Sequence, residues 1–252
     1  MVIKCVVPIS GGKDSQVCLS LAVKEFGSEF VVGLFCDTGF EHPITYAHVE
    51  TLKQLYGVQI IRVSSGTNVL DECVKARRFP SGTSRHCTDN LKIQPTKRWL
   101  KSTAEINIQG FEVWYGMRSG ESDARAKRYT NKISSDLYQP HEIMRKYPQY
   151  LGKMGVRFRL PILDWSTEQV LTYLENKANP LYKLGFDRVG CFPCLAGGDA
   201  SKWKAFDFDD FGKSQYISTV NVSGIINKPI FQSKFGARLF DERQSGCSVC
   251  SI

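Results

Sequence analysis

The sequence predicts an α/β fold built on a doubly wound, mostly parallel sheet, with a small cysteine-bearing region toward the C-terminal side. Three observations predict it. Short apolar runs rich in β-branched residues alternate with helix-length segments of helical periodicity. The runs are continuous rather than alternating, as in strands covered by helices on both faces. A glycine-containing loop joins the first run to the first helical segment, the place where doubly wound sheets bind ligands.

Residues 2–9 read as the first strand, which stops at Ser10-Gly11-Gly12-Lys13-Asp14-Ser15. Val17, Leu19, Leu21, Ala22 and Val23 then lie on a helical segment that closes at Gly27, and residues 30–35 form a second strand. Such a β-loop-α-β unit implies a right-handed crossover and a parallel pair. A helix is expected over residues 43–56, a strand over 58–63, a helix over 94–103 and a strand over 111–115 that runs into Gly116. The helix expected over 166–176 carries Val170, Leu171 and Leu174 on one face, with Ser166 and Thr167 as caps and Glu168 and Gln169 in its first turn.

Residues 119–155 are polar, carry several basic side chains and show no clear period, as a substrate-facing loop or a flexible insertion would. Beyond Gly198 the periodicity weakens, and residues 244–252 are small and cysteine-bearing, typical of a mobile tail. The expected division is a nucleotide-binding α/β domain over residues 1–165 and a helical, cysteine-rich region over 166–252 that completes the site.

At 252 residues the chain can bury a core without disulfides, and 42 % hydrophobic with 23 % charged residues excludes a disordered, collagen-like or coiled-coil chain. No apolar run approaches the roughly 18 residues of a membrane span, and the N-terminus lacks signal-peptide character, so a cytoplasmic protein without membrane association is expected. Lys and Arg outnumber Asp and Glu by 33 to 25, a net charge of +8 that suits nucleotides or nucleic acid and also serves solubility. Nine cysteines, an odd count, read as metal ligands or reactive thiols rather than bridges in a reducing compartment.

The loop at residues 10–15 directs backbone N–H groups and the positive end of a helix at an anion. The Walker A spacing is absent, since Lys13 follows directly on two glycines. Gly11 and Gly12 permit close approach, Lys13 supplies a point charge, and Ser10 and Ser15 supply hydroxyl groups. A bare glycine turn shares the local sequence, but the strand before it and the helix after it favour a phosphate site. Arg118 and Arg125 flank Glu121 just past a strand end, which suits bidentate oxyanion recognition as well as a solvated charged loop. Cys191-Phe192-Pro193-Cys194 and Cys247-Ser248-Val249-Cys250 supply four thiols, which suit zinc, an iron–sulfur cluster or a redox dithiol.

The segment SGGKDS in this position resembles the PP-loop of the ATP pyrophosphatase superfamily, whose members cleave ATP between the α and β phosphates. Further matches follow in order: Asp37-Thr38-Gly39, Arg85-His86-Cys87-Thr88 leading into Leu91-Lys92 and Pro95, Gly116-Met117-Arg118-Ser119-Gly120-Glu121-Ser122 with Arg125, Pro161-Ile162-Leu163-Asp164-Trp165, and Gly190-Cys191-Phe192-Pro193-Cys194. Across residues 1–198 their order and spacing resemble the phosphoadenosine phosphosulfate (PAPS) reductase family.

The resemblance implies an adenine nucleotide α-hydrolase-like, Rossmann-like fold. It places the nucleotide on Ser10, Gly11, Gly12, Lys13, Asp14, Ser15, Asp37, Gly116, Arg118, Glu121 and Arg125, with Lys13 and Arg118 acting in catalysis. In the adenylyl-sulfate reductase branch, cysteines matching Cys87, Cys191 and Cys194 hold a 4Fe–4S cluster. That branch has adjacent cysteines where this chain has His86-Cys87, so a fourth ligand must come from elsewhere. Cys250 or Cys247 is expected, with His86 or an open iron site as further options and zinc as the alternative metal. PAPS reductases carry their nucleophile in a C-terminal Glu-Cys-Gly segment, which this chain lacks, and Cys247 and Cys250 are the candidate nucleophiles in its place.

Sulfonucleotide reductases typically depart from SGGKDS, so the intact loop implies ATP with Mg²⁺ near Asp14 or Asp37, adenylation of a substrate oxygen and transfer of sulfur. The acceptor is a nucleotide or nucleic acid if the basic clusters at residues 75–78, 97–101 and 125–128 serve binding. A sulfur donor or thioredoxin-type protein is the expected partner, and an oligomer is compatible with the sequence. One alternative is reduction of phosphoadenylyl or adenylyl sulfate to sulfite; another is a non-catalytic nucleotide-binding partner with structural zinc. Cys5, Cys18 and Cys36 lie in apolar segments and read as core, while Cys73 has no motif around it.

Overall fold

A computed structural model of the chain describes residues 2–231. In chain order the elements are β1 (Cys5–Ile9), α1 (Lys13–Phe26), β2 (Val31–Asp37), α2 (Pro43–Tyr56), β3 (Gln59–Ser64), α3 (Val69–Ala76), α4 (His86–Thr88), α5 (Gln94–Ile106), β4 (Phe111–Trp114), α6 (Asp123–Tyr129), α7 (Pro140–Ile143), α8 (Gln149–Lys153), β5 (Val156–Arg159), α9 (Thr167–Leu174), α10 (Asp199–Phe206) and α11 (Asp210–Ile226). The described chain forms two units, one from residues 2–37, 43–65 and 92–190, the other from residues 38–42, 66–91 and 191–231.

The first unit contains a five-stranded sheet of order β3-β2-β1-β4-β5, and every pairing is parallel. The chain winds outward from β1 through β2 to β3, then returns to lay β4 and β5 on the other side. The switch point therefore falls between β1 and β4, and the loop after β1 opens beside it. The period of two along the strands feeds two cores. Cys5, Val7 and Ile9 of β1 face one layer with Val17, Leu52 and Leu174, whereas Val6 faces the other with Leu100, Val113 and Phe158. The doubly wound, parallel α/β fold is thus realised.

The linear boundary at residue 165 is corrected by this packing. Residues 166–190 belong to the sheet unit, because α9 buries Val170 and Leu174 in the core shared with α1. Ser166 caps α9 by accepting from Gln169 N at 3.0 Å, while Gln169 Oε1 accepts from Ser166 N at 2.7 Å. The stretch 119–155 folds as α6, α7 and α8 rather than as a continuous loop. Ser122 caps α6, and Ile143 and Leu151 are fully sequestered in the second core.

The second unit is helical. Its core joins Phe40, Cys73, Leu91, Leu195, Phe206 and Val222. Asn68 starts α3 with a reciprocal cap, accepting from Leu70 N and Asp71 N while Asp71 accepts from Asn68 N. Gly212 lets α11 approach α10, since a Cβ there would lie 2.1 Å from Ala205 O. No helix among the described residues is long and apolar enough to cross a membrane.

Candidate functional site

Strand β1 ends at Ile9 and α1 begins at Lys13, so residues 10–12 make the whole turn between them. Gly11 has φ +73°, and a Cβ there would lie 2.5 Å from Thr45 Cγ2, so both its backbone and its surroundings require glycine. Ser15 ties the loop to the helix: its Oγ accepts from Ser10 N at 3.2 Å and donates to Gly12 O at 2.9 Å. Gly116, just past β4, lies against the first turn of α1, where a Cβ would meet Asp14 O at 2.7 Å and Ser15 N at 2.9 Å. That contact brings the β4 end beside the loop.

The charges then interlock. Arg118 is buried, and its Nε donates to Asp14 Oδ1 at 2.7 Å while Nη1 donates to Trp165 O at 3.2 Å. Lys13 is buried as well, with Nζ 3.6 Å from Asp14 Oδ2 and 3.5 Å from Asp187 O. Asp14 thus bridges the two cations. Glu121 Oε2 accepts from Arg118 N at 3.1 Å and pairs with Arg125, so it orients both arginine-bearing positions. Lys13, Arg118 and Asp14 meet at the N-terminus of α1, with Glu121 and Arg125 tied to them through the Arg118 backbone, an arrangement an incoming phosphate can enter by exchanging with Asp14.

Three residues at this loop carry no motif in the sequence. Asn179 is fully buried and its Nδ2 donates to Gly11 O at 3.0 Å, while its Oδ1 accepts from Leu181 N at 3.0 Å. Tyr182 Oη accepts from Lys13 N at 3.0 Å, and its ring lies 5.0 Å from Lys13 Nζ. Burial pushes the Tyr182 hydroxyl up to about 12, so it stays protonated. Gln16 Oε1 accepts from His48 Nε2 at 3.0 Å, and Gln16 Nε2 donates to Lys177 O at 2.8 Å.

Asp37 ends β2 in the same unit, but its carboxylate is engaged elsewhere. Tyr46 donates to Oδ1 at 2.6 Å, and Arg62 donates to Oδ2 from Nε at 3.0 Å and from Nη2 at 2.5 Å. Ser10, Gly11, Gly12, Lys13, Asp14, Ser15, Gly116 and Arg118 are brought together, and Glu121 and Arg125 join them through the Arg118 backbone; Asp37 is held by Tyr46 and Arg62.

The second unit holds the described cysteines of the expected cluster. Cys191 pairs by its backbone with Glu41, and Phe192 N donates to Phe40 O at 2.7 Å. Cys191 Sγ lies 3.5 Å from Thr38 Oγ1 and 3.9 Å from Glu41 Oε1. Glu41 itself is buried and accepts from Thr38 N at 3.1 Å and Thr38 Oγ1 at 2.7 Å. Phe192 sits edge-on to His42 with centroids 4.7 Å apart, and His42 Nε2 meets Asp209 Oδ2 at 2.9 Å.

Cys87 packs against the same core that contains Cys73. Burial pushes the Cys73 thiol up to about 12, with the neighbouring Cys87 and Glu72 adding to the rise, which keeps it a thiol. His86 has both ring nitrogens buried without a hydrogen-bond partner, and burial with Arg78 nearby lowers its pKa. Thiols and a neutral imidazole are the donors that zinc and iron–sulfur chemistry select. Among the described residues, however, no three His, Cys, Asp or Glu side chains are gathered closely enough to hold a metal ion. Cys87, Cys191 and Cys194 are thus not gathered at one metal-binding point. Cys247 and Cys250 lie outside the described residues.

Cys5 and Cys18 are fully buried in the sheet core, as expected, and burial raises both thiols. Cys36 is only half-buried and its Sγ lies 3.1 Å from Thr96 Oγ1, so its place is polar rather than core.

The sequence pattern of the phosphoadenosine phosphosulfate reductase domain matches residues 4–196. An uncharacterised protein of Methanocaldococcus jannaschii is 36 % identical over 193 residues, which cover 75 % of this chain and 36 % of the relative. An adenosine 5′-phosphosulfate reductase of Rhodococcus erythropolis is 26 % identical over 168 residues, 65 % of this chain and 58 % of the relative. The chain thus spans less than two thirds of either relative's length. The crystal structure of a PAPS reductase from Candida auris in complex with phosphate superposes with a TM-score of 0.49 and 19 % identity, covering 75 % of this chain and 81 % of that one.

Proposed function

The chain belongs to the phosphoadenosine phosphosulfate reductase domain family, and from that premise we propose that it binds ATP at residues 10–15, adenylates a substrate oxygen and so prepares it for displacement by sulfur. The observation that carries the reading is the intact SGGKDS loop at the switch point, with buried Lys13 and Arg118 converging on Asp14.

In the proposed step the substrate oxygen bonds to the α-phosphorus, the bond from that phosphorus to the α–β bridging oxygen breaks, and pyrophosphate leaves. Lys13 and the N-terminus of α1 stabilise charge on the departing phosphates, and Arg118 holds a phosphate oxygen as it exchanges off Asp14. Asp14 is the carboxylate at the loop that would hold magnesium, which would neutralise charge on the nucleotide phosphates. A sulfur nucleophile then forms its bond to the substrate carbon, and AMP departs with the oxygen. Cys247 and Cys250 are the candidate thiols for this sulfur transfer. A cytoplasmic setting agrees with this thiol chemistry.

The match to an adenosine 5′-phosphosulfate reductase favours a second reading, reduction of adenylyl or phosphoadenylyl sulfate to sulfite by a thiol. Products separate the two. With water standing in for the substrate oxygen, incubation with magnesium and ATP labelled at the α-phosphate is expected to give labelled AMP and unlabelled pyrophosphate, with a rate lowered about 10²–10³-fold by Lys13→Ala. ADP with phosphate, or sulfite from adenylyl sulfate with ATP inert, overturns the first reading.

A further inference from the structure

The net charge of the chain is not spread over it. Residues 75–101 hold eight of the basic side chains and a single acidic one, Asp89, whereas the remainder is nearly balanced at 25 basic to 24 acidic. In the helical unit this segment presents Lys75, Arg77, Arg78 and Arg85, all exposed. Lys75 already has a partner, since Nζ donates to Glu72 Oε1 at 3.2 Å. Arg77, Arg78 and Arg85 make no ion pair among the described residues. Arg77 sits in the left-handed region at φ 51° as the C-cap of α3, which ends the helix and turns the chain into the loop that carries Arg78 and Arg85.

Cations near a helix C-terminus complement its dipole, which accounts for Lys75 and Arg77 but not for Arg85, eight residues beyond Arg77 in an irregular loop. Guanidinium groups match phosphodiester oxygens bidentately and bind them without needing base identity. We propose that the arginine-bearing loop of residues 77–85 is a nucleic-acid-binding surface that grips the phosphodiester backbone. Its test uses no ATP, so its outcome is independent of the chemistry proposed for residues 10–15.

The probe is a fluorescein-labelled single-stranded oligonucleotide, as RNA and as DNA, with a duplex arm, titrated by anisotropy across a salt series. For single strands each contacted phosphate contributes a slope of about −0.7 in log K against log salt. Arg77→Glu, Arg78→Glu, Arg85→Glu together are expected to make the slope shallower by about 2, a loss of roughly hundredfold in affinity near 0.1 M salt. A control variant, Arg145→Glu, Lys153→Glu, Lys228→Glu, changes the net charge equally at exposed positions elsewhere and is expected to keep the parent slope. Thermal melts of both variants check that the fold is retained. The ordering of RNA, single-stranded DNA and duplex affinities identifies which backbone is bound. Equal losses in the two variants overturn the proposal, as does absence of binding to every oligonucleotide at about 0.05 M salt. Binding of phosphatidylserine vesicles in place of oligonucleotides also overturns it and assigns the surface to an anionic membrane.

Discussion

His48 is a buried imidazole whose Nε2 meets Gln16 Oε1 at 3.0 Å, and burial pushes its pKa down to about 4. The sign follows from linkage. The unfolded chain takes up this proton as the pH falls below about 6.5, whereas the folded chain resists until about 4, so the stabilisation is full above that window and is lost on acidification. The expected loss is about 3 kcal/mol between those limits. Urea melts at stepped pH measure it, and His48→Gln is expected to flatten that part of the profile. An unchanged profile in the variant contradicts the assignment. The nucleotide loop was largely legible at this scale because strand, glycine pair, lysine and helix are contiguous in sequence. Asn179 and Tyr182 were not, because they reach the loop from more than 160 residues away. The one local signal was Asn179-Pro180, which marks a turn without naming what it caps. Cys73 was equally silent, since only the folded chain sets it near Cys87.

Elements with a strong apolar rhythm were legible, and those held by tertiary contacts were not. β1 and β2 read clearly because their central position in the sheet demands continuous apolar runs. β5 escaped because Val-Arg-Phe-Arg buries only one face, and its four residues give a two-point alternation. α11 escaped for another reason. Its sequence from Ser214 to Ile226 contains no charged residue and mixes Ser, Thr and Asn with apolar residues, so the helical face contrast is faint. What fixes α11 is its N-cap Asp209, which accepts from Gly212 N at 2.8 Å, and its close crossing with α10. Gly212→Ala is therefore expected to destabilise the protein by about 1–3 kcal/mol through overpacking on Ala205. Gly224→Ala on the same helix, where a Cβ would meet nothing within 4 Å, is expected to stabilise by up to about 1 kcal/mol. Chemical denaturation of the pair measures both, and equal effects contradict the crossing as the cause.

For the whole molecule, the α/β class and the parallel, doubly wound sheet followed from alternation of strand and helix signals, but the division of the chain did not. A linear reading places one boundary at residue 165, whereas the fold takes residues 38–42 and 66–91 out of the sheet unit and joins them to residues 191–231. Short insertions of this kind leave no break in composition. They do place Cys87, Cys191 and Cys194 in one unit although more than 100 residues separate the first from the second. The proposed ATP chemistry belongs to the other unit, where Lys13, Asp14 and Arg118 converge. Calorimetric titration of the full chain with ATP and magnesium, with adenylyl sulfate and with phosphoadenylyl sulfate measures which nucleotide these residues prefer. ATP is expected to bind more tightly than either sulfonucleotide, and Lys13→Ala to weaken ATP at least about tenfold. Tight adenylyl sulfate binding with no heat from ATP, or ATP binding indifferent to Lys13→Ala, contradicts this expectation.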